Sequence, residues 1–580
     1  MGNVWSRGSL GAHMVRLAST FGLFKVFAAA LVVCLICFTV AHSRLAQAVI
    51  PDELRSVVLA GIGTTVSSLE ARISFGAQSV GSGSSVRAKI GLAATGTAPG
   101  QFMTLSADKT HLVNTFTNKP VFINGEDAFD LAVQLANNSD IDTYLSDRAS
   151  RGFNLIWVAV ADNAYHDPVG SQKNSLGQDP WGRDADFTNE GPSYWAHVDY
   201  VIRRAAVYGI TILAGPAFAG AFGGCDESGG YCPDIKSASD AVMTDYGVFL
   251  GNRYKSYPNI VWLIGGDANI SREGSAFYNK LNDLALGIKS ADPNHLMVVE
   301  AANDKTGGEA SWKYFGGASW LDVSTIYTTC FCPDFATHTM QVLSQSSSGY
   351  SGGHAPFFVV EDWYEGEHNT TPRELRQEAY QSILNGAYAG GMFGNNAILA
   401  FSATCCDTMG RTWQSQLNSP GTLGREYLGR LMRSREHWKM VPDLSHAVVT
   451  GGYGSGTTLT TTSRTSDGQT IIAYVPNGIS TTLTVDMSKI TSVSSQANCW
   501  WFNPRDSSTK LIGTYANTGR RDFTPPDSDD WVLVLDDNSA GLPAPQSSCR
   551  LRFWASRPRV ADVPFFGMSA IRPGGGRVGE

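Results

Sequence analysis

The chain has 580 residues, 43% of them hydrophobic and 17% charged. That apolar share supports a large core and excludes a wholly disordered chain. The net charge is −8 and the body holds no long basic run, which argues against a nucleic-acid binder.

The first 48 residues read as a signal peptide or a membrane anchor. Arg7, Arg16 and Lys25 precede an uncharged apolar run over 26–41, and Ala46-Gln47-Ala48 forms a small-x-small cleavage site. The run is short for a membrane span, which needs about 20 apolar residues. A secreted or periplasmic location is expected, with membrane contact only if the segment stays uncleaved. Cysteine usage agrees. Cys34 and Cys37 lie in the leader, and the other eight are even in number, as disulfides in an exported protein require. Cys225 and Cys232 bracket a Gly-rich loop and are expected to close it. Cys330 and Cys332, like Cys405 and Cys406, stand too close to bridge easily within each pair. Cross-pairing between those two loops is therefore expected, and Cys499 with Cys549. No His is spaced beside these cysteines as a zinc ligand, so neither a metal nor a cofactor is expected.

Residues 49–103 are rich in Gly, Ser and Ala and read as an extension. From 104 to 440, strand-like apolar runs fall at 121–124, 155–161, 210–215, 260–265, 296–300, 323–327, 357–360 and 397–401. Helical segments at 140–151, 194–208, 238–257, 276–291, 338–344 and 372–389 separate most of them. Asn138-Ser139 before Asp140, and Thr371-Pro372 with Glu374, are helix-start signals. Eight strands alternating with helices predict a (β/α)8 TIM barrel. Short strand candidates at 457–463, 470–476, 481–486, 499–503 and 531–536 predict an antiparallel β-sandwich over 441–540. Residues 541–580, rich in Pro, Gly and Arg, read as a flexible tail.

In such a barrel the chemistry lies at the C-terminal strand ends. Asp267 ends the fourth strand, Glu300 the fifth and Glu361 the seventh, while Glu126 and Asp127 end the first. An acid directly after an apolar run is either a cap or ion-pair partner, or a site residue. Strands four and seven face each other across the mouth, so Asp267 and Glu361 are expected to flank one glycosidic bond, as a retaining glycosidase requires. Gly265-Gly266 offers close backbone approach to a ligand. Trp363 and Tyr364 offer aromatic faces, and Glu365 is either a sugar ligand, an orienting group or the nucleophile itself. Asn163 after strand two, Asn269 after Asp267 and Asn395 near strand eight are further substrate-binding candidates, Tyr327 is expected to hydrogen-bond the nucleophile, and Asp162, His166 and Asn396 are minor ones. Trp157 reads as core.

Five stretches carry a resemblance. They are Lys119-Pro120-Val121-Phe122-Ile123-Asn124-Gly125-Glu126, Gly152-Phe153-Asn154, Trp262-Leu263-Ile264-Gly265-Gly266-Asp267, Glu361-Asp362-Trp363-Tyr364-Glu365-Gly366 and Ala387-Tyr388-Ala389-Gly390-Gly391. In this order they resemble the apiosidase-like glycoside hydrolases, in which a (β/α)8 barrel precedes a β-sandwich labelled collagen-binding. The resemblance implies Asp267 as acid/base, Glu361 as nucleophile and Glu126 in the sugar pocket. It also implies pectic or other furanose-bearing glycans as substrates. Where that family carries Gly-Asp-Thr-Ala-Trp, this chain has Gly125-Glu126-Asp127-Ala128-Phe129, which changes the pocket wall.

The expected partner is thus an oligo- or polysaccharide, and the expected state a monomer. The competing reading is a non-catalytic glycan- or matrix-binding protein on a degenerate barrel. Two opposed acids weigh against it. No His-Glu-x-x-His motif supports a zinc protease, and neither a nucleophile elbow nor a phosphate-binding Gly-rich loop is present.

Overall fold

The computed structural model describes residues 100–545, except 166–169, 182–184, 189–190, 221–224, 226–228, 304, 331, 407 and 479–480. The leader, most of the 49–103 extension, most of the tail, His166 and Cys549 lie outside the described residues. No described helix is long and apolar enough to cross a membrane.

Eight strands form the barrel: β1 (Ile123–Asp127), β2 (Leu155–Ala159), β3 (Thr211–Gly215), β4 (Ile260–Asn269), β5 (Leu296–Asn303), β6 (Ser324–Tyr327), β7 (Phe357–Glu361) and β8 (Gly390–Gly391). They pair in parallel in the order β6-β7-β8-β1-β2-β3-β4-β5. Almost every strand residue is buried, as expected when helices cover one face and the barrel interior the other. Side chains alternate accordingly. Leu155, Trp157 and Ala159 of β2 and Val261 and Leu263 of β4 fill the interior. Ile156, Val158, Ile260, Trp262 and Ile264 pack outward on the helices.

Between β5 and β6 the ring is completed by a return segment. Gly307–Glu309 runs antiparallel to the end of β5. Gly308 then donates its N–H to Thr329 O at 2.7 Å, Ser311 donates its N–H to Thr325 O, and Thr325 Oγ1 donates to Val299 O at 2.5 Å.

The eighth strand differs from expectation. Residues 396–399 form a helical turn, capped by the Asn395 side chain on the Ala397 N–H. The strand is instead Gly390-Gly391, wedged between β7 and β1. A Cβ on Gly390 would lie 2.1 Å from Ile123 O, so the close approach that closes the barrel admits only glycine there. The expected disulfide cross-pairing is also corrected. Cys330 bonds Cys332, with Cα atoms 5.1 Å apart, and Cys405 bonds Cys406; each pair closes its own loop after β6 and β8. Cys225 bonds Cys232.

Among the described residues seven longer helices surround the barrel: α1 (Asn138–Arg151), α2 (Pro192–Val207), α3 (Asp240–Tyr254), α4 (Ile270–Ala291), α5 (Phe335–Ser351), α6 (Pro372–Leu384) and α7 (Pro420–Arg433). Helix α6 starts with a capping box, Thr371 with Glu374.

The C-terminal strands are β9 (Met440–Pro442), β10 (Val449–Gly451), β11 (Thr461–Thr465), β12 (Thr470–Val475), β13 (Leu483–Asp486), β14 (Gln496–Phe502), β15 (Thr509–Ala516), β16 (Arg520–Phe523) and β17 (Trp531–Asp537). They make a six-stranded antiparallel sheet, β9-β11-β12-β17-β14-β15, and a three-stranded one, β10-β13-β16. One core lies between the two sheets. The outer face of the larger sheet, with Ile472, Tyr474, Phe502, Val532 and Val534, packs on Ala379, Tyr380 and Ile383 of α6 and Leu428 and Leu431 of α7. Tyr380 and Tyr474 stack, with centroids 4.7 Å apart. Two bidentate pairs lock the seam: Arg376 with Asp530 at 2.7 and 2.8 Å, and Arg435 with Asp536 at 2.6 and 2.8 Å. The sandwich therefore buttresses the two helices that follow β7 and β8.

Asp530 is fully buried, so Asp530→Asn leaves the Arg376 guanidinium without its charge partner. The expected loss is about 3 kcal/mol in denaturant unfolding, with barrel and sandwich melting in one transition. Separate transitions in the wild type would show that the seam carries little.

Candidate active site

Strand alternation decides which acids face inward. In β5, Leu296 and Val298 are interior, and so is Glu300. In β1, Ile123 is interior, which turns Asp127 inward and Glu126 outward. Two bulges bring in the other acids. In the β4–β5 ladder Gly265 pairs with Glu300 and Ala268 with Ala301, so Gly266 and Asp267 are looped out. In the β6–β7 ladder Ile326 pairs with Val359 and Tyr327 with Glu361, which leaves Val360 as the extra residue.

The β4 glycines make this bulge possible. A Cβ on Gly265 would meet Glu300 O at 2.5 Å, and one on Gly266 would meet the Phe218 ring at 2.7 Å. Asp267 itself has φ +54, a strained conformation for a non-glycine residue and one that clusters at functional sites.

Asp267, Glu300 and Glu361 each bring a carboxylate oxygen within 4.8 Å of the other two. All three are buried. Glu300 Oε1 accepts the Asp267 N–H at 2.8 Å, and Oε2 accepts the Trp157 indole N–H at 2.9 Å. Tyr327 donates its hydroxyl to Asp267 Oδ1 in a short hydrogen bond. Burial, then the charge of Glu300, pushes Asp267 well above the usual carboxylate range, against the pull of Tyr327. Burial and the charges of Glu300, Asp267 and Asp127 push Glu361 well up. Burial lifts Glu300 to about 7, while the Trp157 and Asp267 donors oppose it. Asp127 is raised by burial and by Glu300 and Glu126.

The other expected site residues have partners of their own. Glu126 accepts Tyr144 Oη and Arg148 Nε, both at 2.6 Å, between β1 and α1; it is a buried structural ion pair outside the mouth. Glu365 is held by Asn395 Nδ2 at 3.0 Å and by the Gly421 N–H of α7 at 3.1 Å, so both its oxygens are taken. Asn395 is fully buried between Glu365, Gln416 and the Ala397 amide. Asn269 caps α4 on the Arg272 N–H. Asn163 Oδ1 takes the Gly230 N–H at 2.7 Å, which ties the loop after β2 to the loop after β3. Trp363 is 3% exposed, and its two faces are covered by His338 at 4.1 Å and His368 at 4.4 Å, so it offers no platform. Tyr327 donates to Asp267, the strand-four acid.

Three residues join the site without a role foreseen for them. Glu300 carries the same sequence signal as Asp267, an acid after the run Leu-Met-Val-Val. Trp157 forms the floor, with its ring 4.2 Å from Phe129. Tyr165, partly exposed and backed by Phe129 and Phe218, stands over the acids and feels the charges of Asp267 and Glu361. Only the chain fold brings the two aromatic residues there.

A parallel eight-stranded barrel with opposed acids on β4 and β7 is the construction of many sugar-cleaving hydrolases. Residues 106–439 match the family model described as "Apiosidase-like, catalytic domain". The chain belongs to this family, and it is a glycoside hydrolase. A second family model, provisionally described as the collagen-binding domain of a collagenase, matches residues 441–536. Among solved structures, one named "Glycoside hydrolase" is similar at 26% identity and TM-score 0.64, over 76% of this chain and 97% of that one. A glycoside hydrolase family 5 protein from Bacteroides vulgatus ATCC 8482 has the same fold, at 23% identity and TM-score 0.64, over 75% of this chain and 94% of that one. A comparison with curated protein sequences returned no match.

Behind the mouth lies a second buried cluster. His338 Nε2 meets Asp362 Oδ1 at 2.9 Å and Glu378 Oε2 at 3.1 Å. Burial alone would lower the imidazole, but Asp362 and then Glu378 outweigh it and lift His338 to about 9. Glu378 is itself raised, by burial and by Asp362, so the imidazolium pairs chiefly with Asp362. Asp362 follows Glu361, and the His338 ring stacks on Trp363, so this cation holds the end of β7.

His338 is lifted above its ordinary 6.5, so its contribution is full below about pH 6.5 and is lost as pH rises through about 9. Wild-type stability is expected to fall by about 3 kcal/mol across that window. In His338→Gln that slope should vanish from denaturant titrations. An unchanged slope would move the effect to another group.

Proposed function

We propose that the protein is a secreted, retaining glycoside hydrolase that cleaves a neutral sugar from an oligo- or polysaccharide, with furanose-bearing pectic side chains the favoured class. The observation that carries this reading is the approach of Asp267 and Glu361 oxygens to within 4.8 Å. Retaining enzymes hold their carboxyls about 5–5.5 Å apart, whereas inverting enzymes leave about 6.5–9.5 Å for a water.

In this reading Asp267 is the general acid. Its raised proton affinity lets it protonate the leaving oxygen, and in the second step it takes a proton from water. Glu361 is the nucleophile, presented by the β7 bulge and attacking the anomeric carbon. The Tyr327 hydroxyl steadies Asp267 whenever it is ionised. That same bond favours a second reading, in which Asp267 is the nucleophile and Glu361 the acid, because a donated hydrogen bond stabilises a carboxylate.

Neutrality of the cleaved sugar follows from charge. Among the described residues neither Asp267, Glu300 nor Glu361 is ion-paired, so a uronate beside them would meet uncompensated negative charge. Secretion is supported by the leader and by three cysteine pairs, which suit an oxidising compartment. The chain is proposed to act as a monomer.

A screen of pectic, arabinan and arabinogalactan substrates and aryl glycosides tests the reading. Asp267→Ala and Glu361→Ala should each lower kcat by about a thousandfold. Azide should then separate the roles on an aryl glycoside. With the nucleophile removed it gives a glycosyl azide of inverted configuration; with the acid/base removed, one of retained configuration. Inversion from Asp267→Ala would exchange the two assignments. Full activity in both variants would end the reading.

A further inference from the structure

The two-carboxylate mechanism leaves Glu300 without a task, yet Glu300 is the best connected acid in the mouth. Its Oε1 holds the Asp267 amide at 2.8 Å and its Oε2 holds the Trp157 indole at 2.9 Å. Its position in the β4–β5 ladder is opposite the residue at which the β4 bulge begins. Glu361 Oε2, by contrast, is buried and receives no hydrogen bond from any described donor.

We infer that Glu300 is a positioning residue of this site: it fixes the Asp267 bulge through the backbone amide, and it shares one proton with Glu361 in the free enzyme, holding that proton while Glu361 acts as the nucleophile. The inference rests on the proposed role of Glu361 and extends it.

The groups facing Glu300 are Asp127 from β1, Trp157 from β2, Asp267 from β4, Tyr327 from β6, and Glu361 and Tyr364 from β7 and its loop, while Glu361 also faces Tyr165 and Glu367. They are carboxyls, phenols and an indole. Adjacent carboxylates in a buried site, with no basic side chain paired to Asp267, Glu300 or Glu361 among the described residues, cannot all ionise, so a proton stays among them. A proton between Glu300 and Glu361 supplies the partner that Glu361 lacks. Glu300 has two N–H donors that stabilise its charge and Glu361 has none among the described residues, so the resting proton belongs on Glu361. When substrate enters, Glu361–COOH and Glu300–COO⁻ become Glu361–COO⁻ and Glu300–COOH. Nothing leaves the pair. The freed Glu361 oxygen bonds the anomeric carbon, the glycosidic C–O bond breaks, and the Asp267 proton passes to the leaving oxygen. In the second step the water oxygen bonds the anomeric carbon and its proton goes to Asp267. Glu361 departs as a carboxylate and regains the proton from Glu300.

The test titrates the free enzyme, so it needs no known substrate. The full chain is labelled with [13Cδ]glutamate, and the Glu300 and Glu361 carboxyl signals are assigned with Glu300→Gln and Glu361→Gln. In the wild type the two signals should titrate in two coupled steps. In Glu300→Gln, Glu361 should titrate in one step at least about one pH unit lower. The whole bell of kcat/KM against pH, read on whichever aryl glycoside is cleaved, should move down with it. A purely structural Glu300 would lower the rate and leave the bell in place. An unmoved Glu361 signal in folded Glu300→Gln overturns the inference. Should that variant not fold, Trp157→Phe removes one donor from Glu300 and is titrated instead. Glu300 should then move up in pH and Glu361 down, and independent titration of the two overturns the inference. Coupled titration combined with full activity in Glu361→Gln would remove Glu361 as the nucleophile while leaving the shared proton standing.

Discussion

The site rests on one constraint: carboxyl groups placed side by side, out of water, cannot all carry charge. A barrel interior of Leu155, Trp157, Leu213, Val261, Leu263, Val298 and Phe358 supplies the dry surroundings. Asp267, Glu300 and Glu361 are set at its mouth, where water is displaced and like charges repel strongly. Their raised proton affinities follow from that placement before any detailed contact is considered. The contacts then divide the groups. Tyr327 donates to Asp267, Trp157 and a backbone amide donate to Glu300, and Glu361 is left to share.

The rest of the molecule treats its buried acids differently. Glu126 meets Arg148, Asp362 meets His338, Asp530 meets Arg376, and Asp536 meets Arg435. Each of these pairs joins two elements. Glu126 ties β1 to α1, Asp362 ties β7 to α5, and the last two tie the sandwich to the barrel. The cations are spent on holding strand ends and helices in place, so the mouth keeps its negative character while its frame stays rigid. Removing a partner from a buried pair is costly, which makes these links strong constraints on position even where their net stabilisation is modest.

Much of this was legible in the sequence, and the reasons for the remainder are specific. Apolar runs followed by acids located β4, β5 and β7, and helix-start residues located α1 and α6. The eighth strand was misplaced because two glycines carry no hydrophobic signal, while the apolar 396–399 turn imitates a strand. Glu126 and Asp127 could not be separated without the strand phase, since one residue of offset exchanges the helix layer for the mouth. Trp363 looks like a sugar platform because sequence cannot show that His338, on helix α5, and His368, five residues on, cover its faces. Glu365 looked like an alternative nucleophile because the Gly421 amide that occupies it lies 56 positions away. Strands β15 and β16 were missed, being largely solvent-exposed and so lacking a clean apolar run.

A mouth with uncompensated acids is unfavourable in the resting enzyme, and the reaction gives that arrangement its sense. Glycoside cleavage passes through an oxocarbenium-like state in which positive charge develops at the anomeric centre. Preorganised negative groups in a water-poor site stabilise such a state more than the neutral substrate, which is the requirement for acceleration rather than mere binding. An arginine in the mouth would relieve the acids at rest and oppose the transition state. Arg425 illustrates the compromise. It lies close enough to Asp127 to feel its charge, yet its guanidinium is directed to the Gly391 carbonyl of β8 and to the Asp362–Glu378 cluster behind β7. Keeping Arg425 behind the strand ends lets the same charge that steadies the barrel leave the reacting side negative.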